Sequence, residues 1–322
     1  NEMRERVEVL LKQQQQAHQN DGIFDTENDA ADNYPEDLRR VTMGTFHSIC
    51  AKILRVNGSL LASLPSVEKD MMGRVGDGAV NLDGNFAIMD SSDQLRLLKE
   101  CIVENELDLE KTSVKPMQIL EAIGKIKEAR SLGKDLFAQS DENGRQKNKL
   151  IPAPLKLGRE LYSLYREKTW SNNALDFDDL IILTREMLME YPELREKLHR
   201  RWPHILVDEF QDTSILQLDL VKLLTSSSLF AVGDADQLIY SWRGAHVGSL
   251  ANFPQEFEQY TDNGVQTVFL KENYRYVVKM HTYIPQIRST NVVIDLHQTS
   301  SGLQKKLYRV LSLRLRTKND GP

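Results

Sequence analysis

The 322-residue chain has only two cysteines, Cys50 and Cys101. That is too few for a disulfide framework and points to a reducing compartment. No apolar run approaches the roughly 20 residues a membrane-spanning helix needs. The opening "NEMRERVEVL" has no apolar signal-peptide core, so the expectation is a soluble, intracellular protein with no membrane partner. Positive charge is also scarce: 41 Lys and Arg stand against 47 Asp and Glu, a net charge of −6. This excludes a protein that coats nucleic acid by bulk attraction. It leaves room for a groove in which a few cations and aromatic faces hold one strand. The last absence concerns phosphate binding. A phosphate-cradling loop needs G-x-x-x-x-G-K-[ST], because backbone N–H groups hold the phosphates and the lysine neutralises them. The two Gly-Lys pairs, Gly124-Lys125 and Gly133-Lys134, are followed by Ile126 and Asp135, with Ile119 and Glu128 where the first glycine belongs. These 322 residues contain no such loop.

What is present falls into blocks. Met3, Val7, Leu10 and Leu11 mark an amphipathic helix, followed by the polar tract "KQQQQAHQNDGIFDTENDAADNYPED", which reads as a solvated connection. "RRVTMGTFHSICAKILRV" predicts a short strand, a turn at Gly44 and a helix capped by Thr45 or Ser48. Residues 57–85, rich in Gly, Ser and Asp, read as a loop. Helical patterning then runs through "DSSDQLRLLKECIVENEL" to about Lys127 and returns in "PLKLGRELYSLYREKTW" and "ALDFDDLIILTREMLMEYPELREKLHRRW". After Pro203 the character changes. "HILVDE" and "SLFAVGD" are short apolar runs ending in acids, with the helical "SILQLDLVKLLTS" between them, and "QTVFL" follows at 266–270. Runs separated by one helix length predict parallel β-α-β units. The expected architecture is an α/β core interrupted by a helical insertion over about 57–190.

Ligands in parallel sheets bind beyond the carboxyl ends of the strands, where Asp208, Glu209 and Asp234 would sit. A strand-tip Asp208 suits hydrated magnesium, and Glu209 could orient or deprotonate an attacking water. The plainer alternative is that these acids end a strand and that Asp212 or Thr213 starts the next helix. "FAVGDADQLIYSWRGA", 230–245, adds Gln237, a neutral side chain able to sense a phosphate oxygen. It also groups Tyr240, Trp242 and Arg243, aromatic faces with a cation of the kind unpaired bases stack on. A buried core Trp with a satisfied indole N–H is the alternative reading of Trp242.

"DEFQDT" followed by "VGDADQLIYSWRGA" resembles the UvrD/Rep/PcrA-type superfamily 1 helicases. The resemblance extends to "NEMRERV", "GTFHSICAKILR", "FAIMDSSDQLRLLKE", "LDFDDLI" and "LKENYR", and so covers most of the chain. It implies a RecA-like P-loop NTPase core with a parallel sheet, incomplete here and interrupted by a helical insertion subdomain. It also implies an ATP- and Mg2+-dependent motor tracking 3′ to 5′ on single-stranded DNA in repair or recombination, acting on single strands and 3′-tailed duplexes. The resemblance divides the chain into a first motor domain over 1–56 and 191–272, an inserted helical subdomain over 57–190, and the start of a second motor domain over 273–322.

By the same resemblance, Asp208 holds magnesium and Glu209 polarises the hydrolytic water. Gln237 contacts the γ-phosphate and is coupled to Tyr240 and Trp242, which stack on bases beside Arg243. Thr45 and His47 lie along the DNA backbone and Phe177 near a base, with a helix cap and core packing as the plainer roles of Thr45 and Phe177. Asp178 and Asp179 read as capping and network residues. Tyr274 stacks on adenine, and an arginine after it acts as a finger on the γ-phosphate. Here "NYR" runs into "YVVKMHTYIPQI" before "RSTNVVIDL"; deleting 276–288 yields "LKENYRSTNVVIDL". A 13-residue in-frame insertion, of the kind an unspliced intron leaves, accounts for this, so either Arg275 or Arg288 inherits the finger role. Intron-like sequence and the polar tract point to a eukaryote and a nuclear location, with the cytoplasm as the alternative if the source is not eukaryotic. Without a phosphate loop the chain is expected to be inactive alone. The alternatives are a non-hydrolysing module that binds single-stranded DNA or a partner, and a metal-dependent nuclease using Asp208, Glu209, Asp234 and Asp236.

Overall fold

A computed structural model describes residues 41–71, 82–138, 150–234, 252–258, 265–270 and 291–297. The first helix among the described residues, α1 (Phe46–Val56), starts where the sequence places it. The Thr45 hydroxyl accepts the Ser48 N–H at 3.3 Å, and Ser48 Oγ donates back to the Thr45 carbonyl at 2.9 Å. The strand expected before Gly44 is not formed in residues 41–45. Thr42 instead accepts a hydrogen bond from the Trp202 indole at 3.0 Å, a side-chain tie in place of a ladder.

The loop expected over 57–85 is also corrected. A 3-10 helix (Gly58–Ser63) and α2 (Pro65–Met71) occupy its first half, with Leu61, Leu64 and Val67 fully buried. That three-to-four-residue apolar spacing is masked in the sequence by flanking Gly and Ser. Gly58 is needed for a close approach: a Cβ there would stand 2.1 Å from the backbone nitrogen of Gly84.

The helical part follows with α3 (Ser91–Glu104), capped by Asp90, then α4 (Pro116–Ser131) and α5 (Ala153–Ser171). Two short parallel strands, β1 (Ala87–Ile88) and β2 (Ala174–Leu175), tie its ends together. Both Gly-Lys pairs are accounted for here. Gly124 lies inside α4, and Gly133, at φ +68°, closes the helix with Lys134 N–H donating to the Ala129 carbonyl at 2.8 Å. Helices α6 (Phe177–Glu190) and α7 (Pro192–Arg201) lead to the sheet.

In the sheet, β3 (His204–Val207) crosses through α8 (Ile215–Leu224) to β4 (Ser228–Asp234) and pairs with it in parallel, Val207 opposite Ala231. This is the expected β-α-β unit. Beyond β4 and the short α9 (Phe253–Phe257), the pattern departs from expectation. β5 (Gln266–Leu270) is not the next parallel neighbour, because β6 (Asn291–His297) lies between them, antiparallel to both. Run spacing predicts direction only where one crossover links adjacent strands; a strand arriving from farther along can insert either way. β6 comes from the 273–322 stretch and shares the sheet of β3 and β4.

Three apolar clusters hold these elements. One lies among α3, α4 and α5, around Leu98, Ile123 and Leu161. One lies under the sheet, where Phe210, Leu218, Leu229 and Phe253 meet. The largest joins α1, the 3-10 helix, α6, α7 and α8 through Leu54, Leu61, Leu183 and Leu220. α6 packs on α1, α4 and α8, so this one helix links the helical part to the β-α-β unit. Each fully buried leucine contributes about 1.5–3 kcal/mol by leaving water.

Candidate active site and strand-contact face

Strand β3 ends with Val207 buried and Asp208 exposed at the tip. Glu209 follows in the left-handed region, at φ 51° and ψ 44°, and its N–H donates to Asp208 Oδ1 at 3.1 Å. A non-glycine residue held there stores about 1–3 kcal/mol, a cost met by surrounding structure. That structure is the next turn, a 3-10 helix over Phe210–Asp212. The Phe210 ring is fully buried, edge-on to Phe253 at 5.1 Å and to Phe257 at 6.4 Å.

Gln211, 1% exposed, makes the central connection. Its Nε2 donates to Glu209 Oε2 at 2.7 Å, while its Oε1 accepts the backbone N–H of Asp234 at 3.0 Å. One buried amide thus orients the Glu209 carboxylate and ties it to the tip of β4. The sequence alone does not reveal this role, because the second partner lies on the other strand. Its only local signal is an uncharged amide placed between acids and an apolar ring. Substituting Gln211→Leu removes both bonds, one of them the buried acceptor of the Asp234 N–H. The expected cost is about 1–3 kcal/mol, read as a lower urea midpoint with an unchanged slope.

Asp212 and Thr213 do not start the next helix. Ser214 caps α8, its hydroxyl accepting the Gln217 N–H at 3.3 Å while Gln217 Oε1 accepts the Ser214 N–H at 3.0 Å. Burial pushes the Asp212 carboxyl up, with the Glu209 charge adding to it. Among the described residues no group of three or more His, Cys, Asp or Glu converges to hold a metal. Magnesium keeps most of its waters and takes one or two protein carboxylates beside substrate phosphates, so a single exposed Asp208 is a donor that fits it.

A second constellation lies on the helices. His47, in the first turn of α1, and Phe177, the first residue of α6, meet edge-on with ring centroids 5.6 Å apart and planes at 88°. Phe177 is 46% exposed, which excludes core packing as its whole role, and Thr45 is exposed one step away. Burial lowers the His47 pKa, the Asp178 charge opposing, which favours the neutral ring at pH 7. The structure therefore brings together two of the predicted strand-contact residues, His47 and Phe177, from distant segments, with Thr45 two residues before His47 in the chain. Gln237, Tyr240, Trp242, Arg243, Tyr274, Arg275 and Arg288 lie outside the described residues. So do Asp236, the amphipathic helix expected at the N-terminus with its polar tract, and residues 276–288.

Among the described residues no helix is long and apolar enough to cross a membrane. A family profile for the UvrD/REP helicase N-terminal domain matches residues 1–258. The ATP-dependent DNA helicase PcrA of Staphylococcus aureus is 32% identical over 237 residues, 73% of this chain and 28% of that protein. The ATP-dependent DNA helicase PcrA of Staphylococcus epidermidis is 31% identical over 242 residues, 74% of this chain and 28% of that protein. The chain thus spans under a third of the curated relatives it matches. Both are bacterial, and the expectation of a nuclear location finds no support in them. By its match over residues 1–258 and its likeness to these relatives, the chain belongs to the UvrD/REP family of superfamily 1 helicases.

Proposed function

We propose that these residues form the water-polarising and strand-holding part of an ATP-dependent 3′–5′ DNA helicase acting in repair or recombination. The observation that carries this reading is the Gln211 bridge. It fixes Glu209 and ends on Asp234, three residues before Gln237 in the segment that also bears Tyr240, Trp242 and Arg243. A motor must convert phosphate chemistry into grip on a strand, and in this reading the bridge couples the two through the segment that follows Asp234.

In this reading Asp208 would hold magnesium, which when bound would supply positive charge beside the nucleotide's phosphates. Glu209, kept in one orientation by Gln211, accepts a proton from the attacking water. Tyr274 stacks on the adenine, and Arg275 or Arg288 serves as the finger. Thr45, His47 and Phe177 line the path of the single strand, Phe177 offering an exposed face to a base. Residues 1–56 and 191–272 act as the motor domain, 57–190 as the insertion, and 273–322 as the beginning of the second motor domain.

A second reading concerns the 322 residues taken alone. They contain no G-x-x-x-x-G-K-[ST], and we infer that they hold single-stranded DNA or a partner without turning over ATP. A phosphate-release assay with ATP, magnesium and a 3′-tailed duplex is expected to stay at background, with no unwinding. Strand-stimulated turnover comparable to an intact PcrA would overturn this second reading. Metal-dependent cleavage of the DNA in the same tubes would instead favour a nuclease.

A further inference from the structure

The N-terminus of α6 is held from inside by a buried set of charges that neither the hydrolytic site nor the strand face uses directly. Asp176 and Asp179 form its capping box: Asp176 Oδ1 accepts the Asp179 N–H at 3.0 Å, and Asp179 Oδ2 accepts the Asp176 N–H at 3.3 Å. Both carboxylates are buried, and both are gripped by cations from other helices. Lys127 of α4 donates to Asp176 and, at 3.1 Å, to Asp179. Arg166 of α5 donates to Asp179 and lays its guanidinium 3.9 Å over the Trp170 ring. Asp70 of α2 forms an outer layer, 3.6 Å from Arg166 Nε and 3.2 Å from Arg130. The four inner residues are each no more than 3% exposed, and their formal charges cancel.

Such a network is an expensive way to join helices. Each buried ion loses several kcal/mol of hydration, and well-packed apolar residues would serve stability as well or better. What ions and hydrogen bonds add is a defined position. The position they define is unusual, because both acids belong to one helix cap and the residues between them are Phe177 and Asp178. With Asp176 and Asp179 turned inward as the first and fourth residues of the box, the first helical residue, Phe177, is turned out against His47.

We propose that Lys127 and Arg166 are positioning residues for the strand-contact face, holding the Asp176–Asp179 cap so that Phe177 stays edge-on to His47. This rests on the reading of Phe177 as a strand contact. The test is a double-mutant cycle in the 322-residue protein. A short fluorescein-labelled oligothymidylate reports binding by anisotropy, and the His47 ring resonances report the Phe177 ring by NMR. Phe177→Ala is expected to weaken binding about tenfold and Lys127→Met about fivefold, with the double variant no weaker than Phe177→Ala alone. Lys127→Met is also expected to move the His47 resonances in the direction Phe177→Ala does. Additive losses, or unmoved His47 resonances in a folded Lys127→Met protein, would overturn the proposal. Should Lys127→Met fail to fold, Asp176→Asn keeps an acceptor for the Asp179 N–H while removing the charge facing Lys127, and the same pattern is required of it. If Phe177→Ala leaves binding intact, the strand-contact reading fails, and the His47 resonances still decide the positioning claim.

Discussion

Replacing Asp179 by alanine is expected to destabilise the protein by about 3–5 kcal/mol, because it strands two buried cations that share that carboxylate. Urea unfolding followed by circular dichroism measures this directly. Burial acts to push the Asp179 carboxyl up, but Arg166 and then Lys127 outweigh it and hold the group well below the usual carboxylate range. A carboxylate depressed in the folded state contributes stability that is present above its unfolded value, near 3.9, and lost as pH falls toward the folded one. The wild-type protein should therefore lose stability steeply below about pH 4. Asp179→Ala should show less of that acid dependence. Asp176 works the other way: burial and the neighbouring Asp179 charge raise it to about 6, so its own contribution falls as pH rises through that value. An Asp179→Ala protein as stable as wild type at pH 7 would mean that the network is not closed in solution.

Phe210→Ala should cost about 3–5 kcal/mol, and its consequences should reach the hydrolytic site. The ring packs edge-on against the stacked Phe253 and Phe257 rings under the sheet. The turn it anchors holds Glu209 in a left-handed conformation and presents Gln211 to Asp234. Losing the ring removes the packing that offsets that strain. Hydrogen exchange should then accelerate at the Asp234 amide, and not only across the protein as a whole. Phe210→Leu keeps most of the apolar volume and should recover more than half of the stability. If alanine costs less than about 1 kcal/mol, the turn is held by something other than this ring.

These two residues also show what was legible in the chain. "HILVDEF" and "SLFAVGD" could be read as adjacent parallel strands because a single helix length separates them, and the structure pairs them in that way. Thr45 was readable as a cap because the cap bond is local. Gln211 was not, because its second partner lies 23 residues away on another strand. Lys127 and Arg166 left only a faint signal, a cation among apolar residues on each of two helices. Their meaning depends on a third helix, whose cap lies 49 residues beyond Lys127. The antiparallel entry of β6 has no counterpart in apolar spacing, since alternation marks a strand's faces and not its direction. Family resemblance located the motifs, whereas their cross-connections required the fold.

The most direct test of the account is whether this chain prefers an unpaired strand. Anisotropy titrations at two salt concentrations, with a labelled single strand and a blunt duplex of equal length, would measure it. Saturable single-strand binding is expected, tighter than duplex binding, weakened by added salt and reduced by Phe177→Ala. No saturable binding to the single strand, or equal affinity for the blunt duplex, would contradict it.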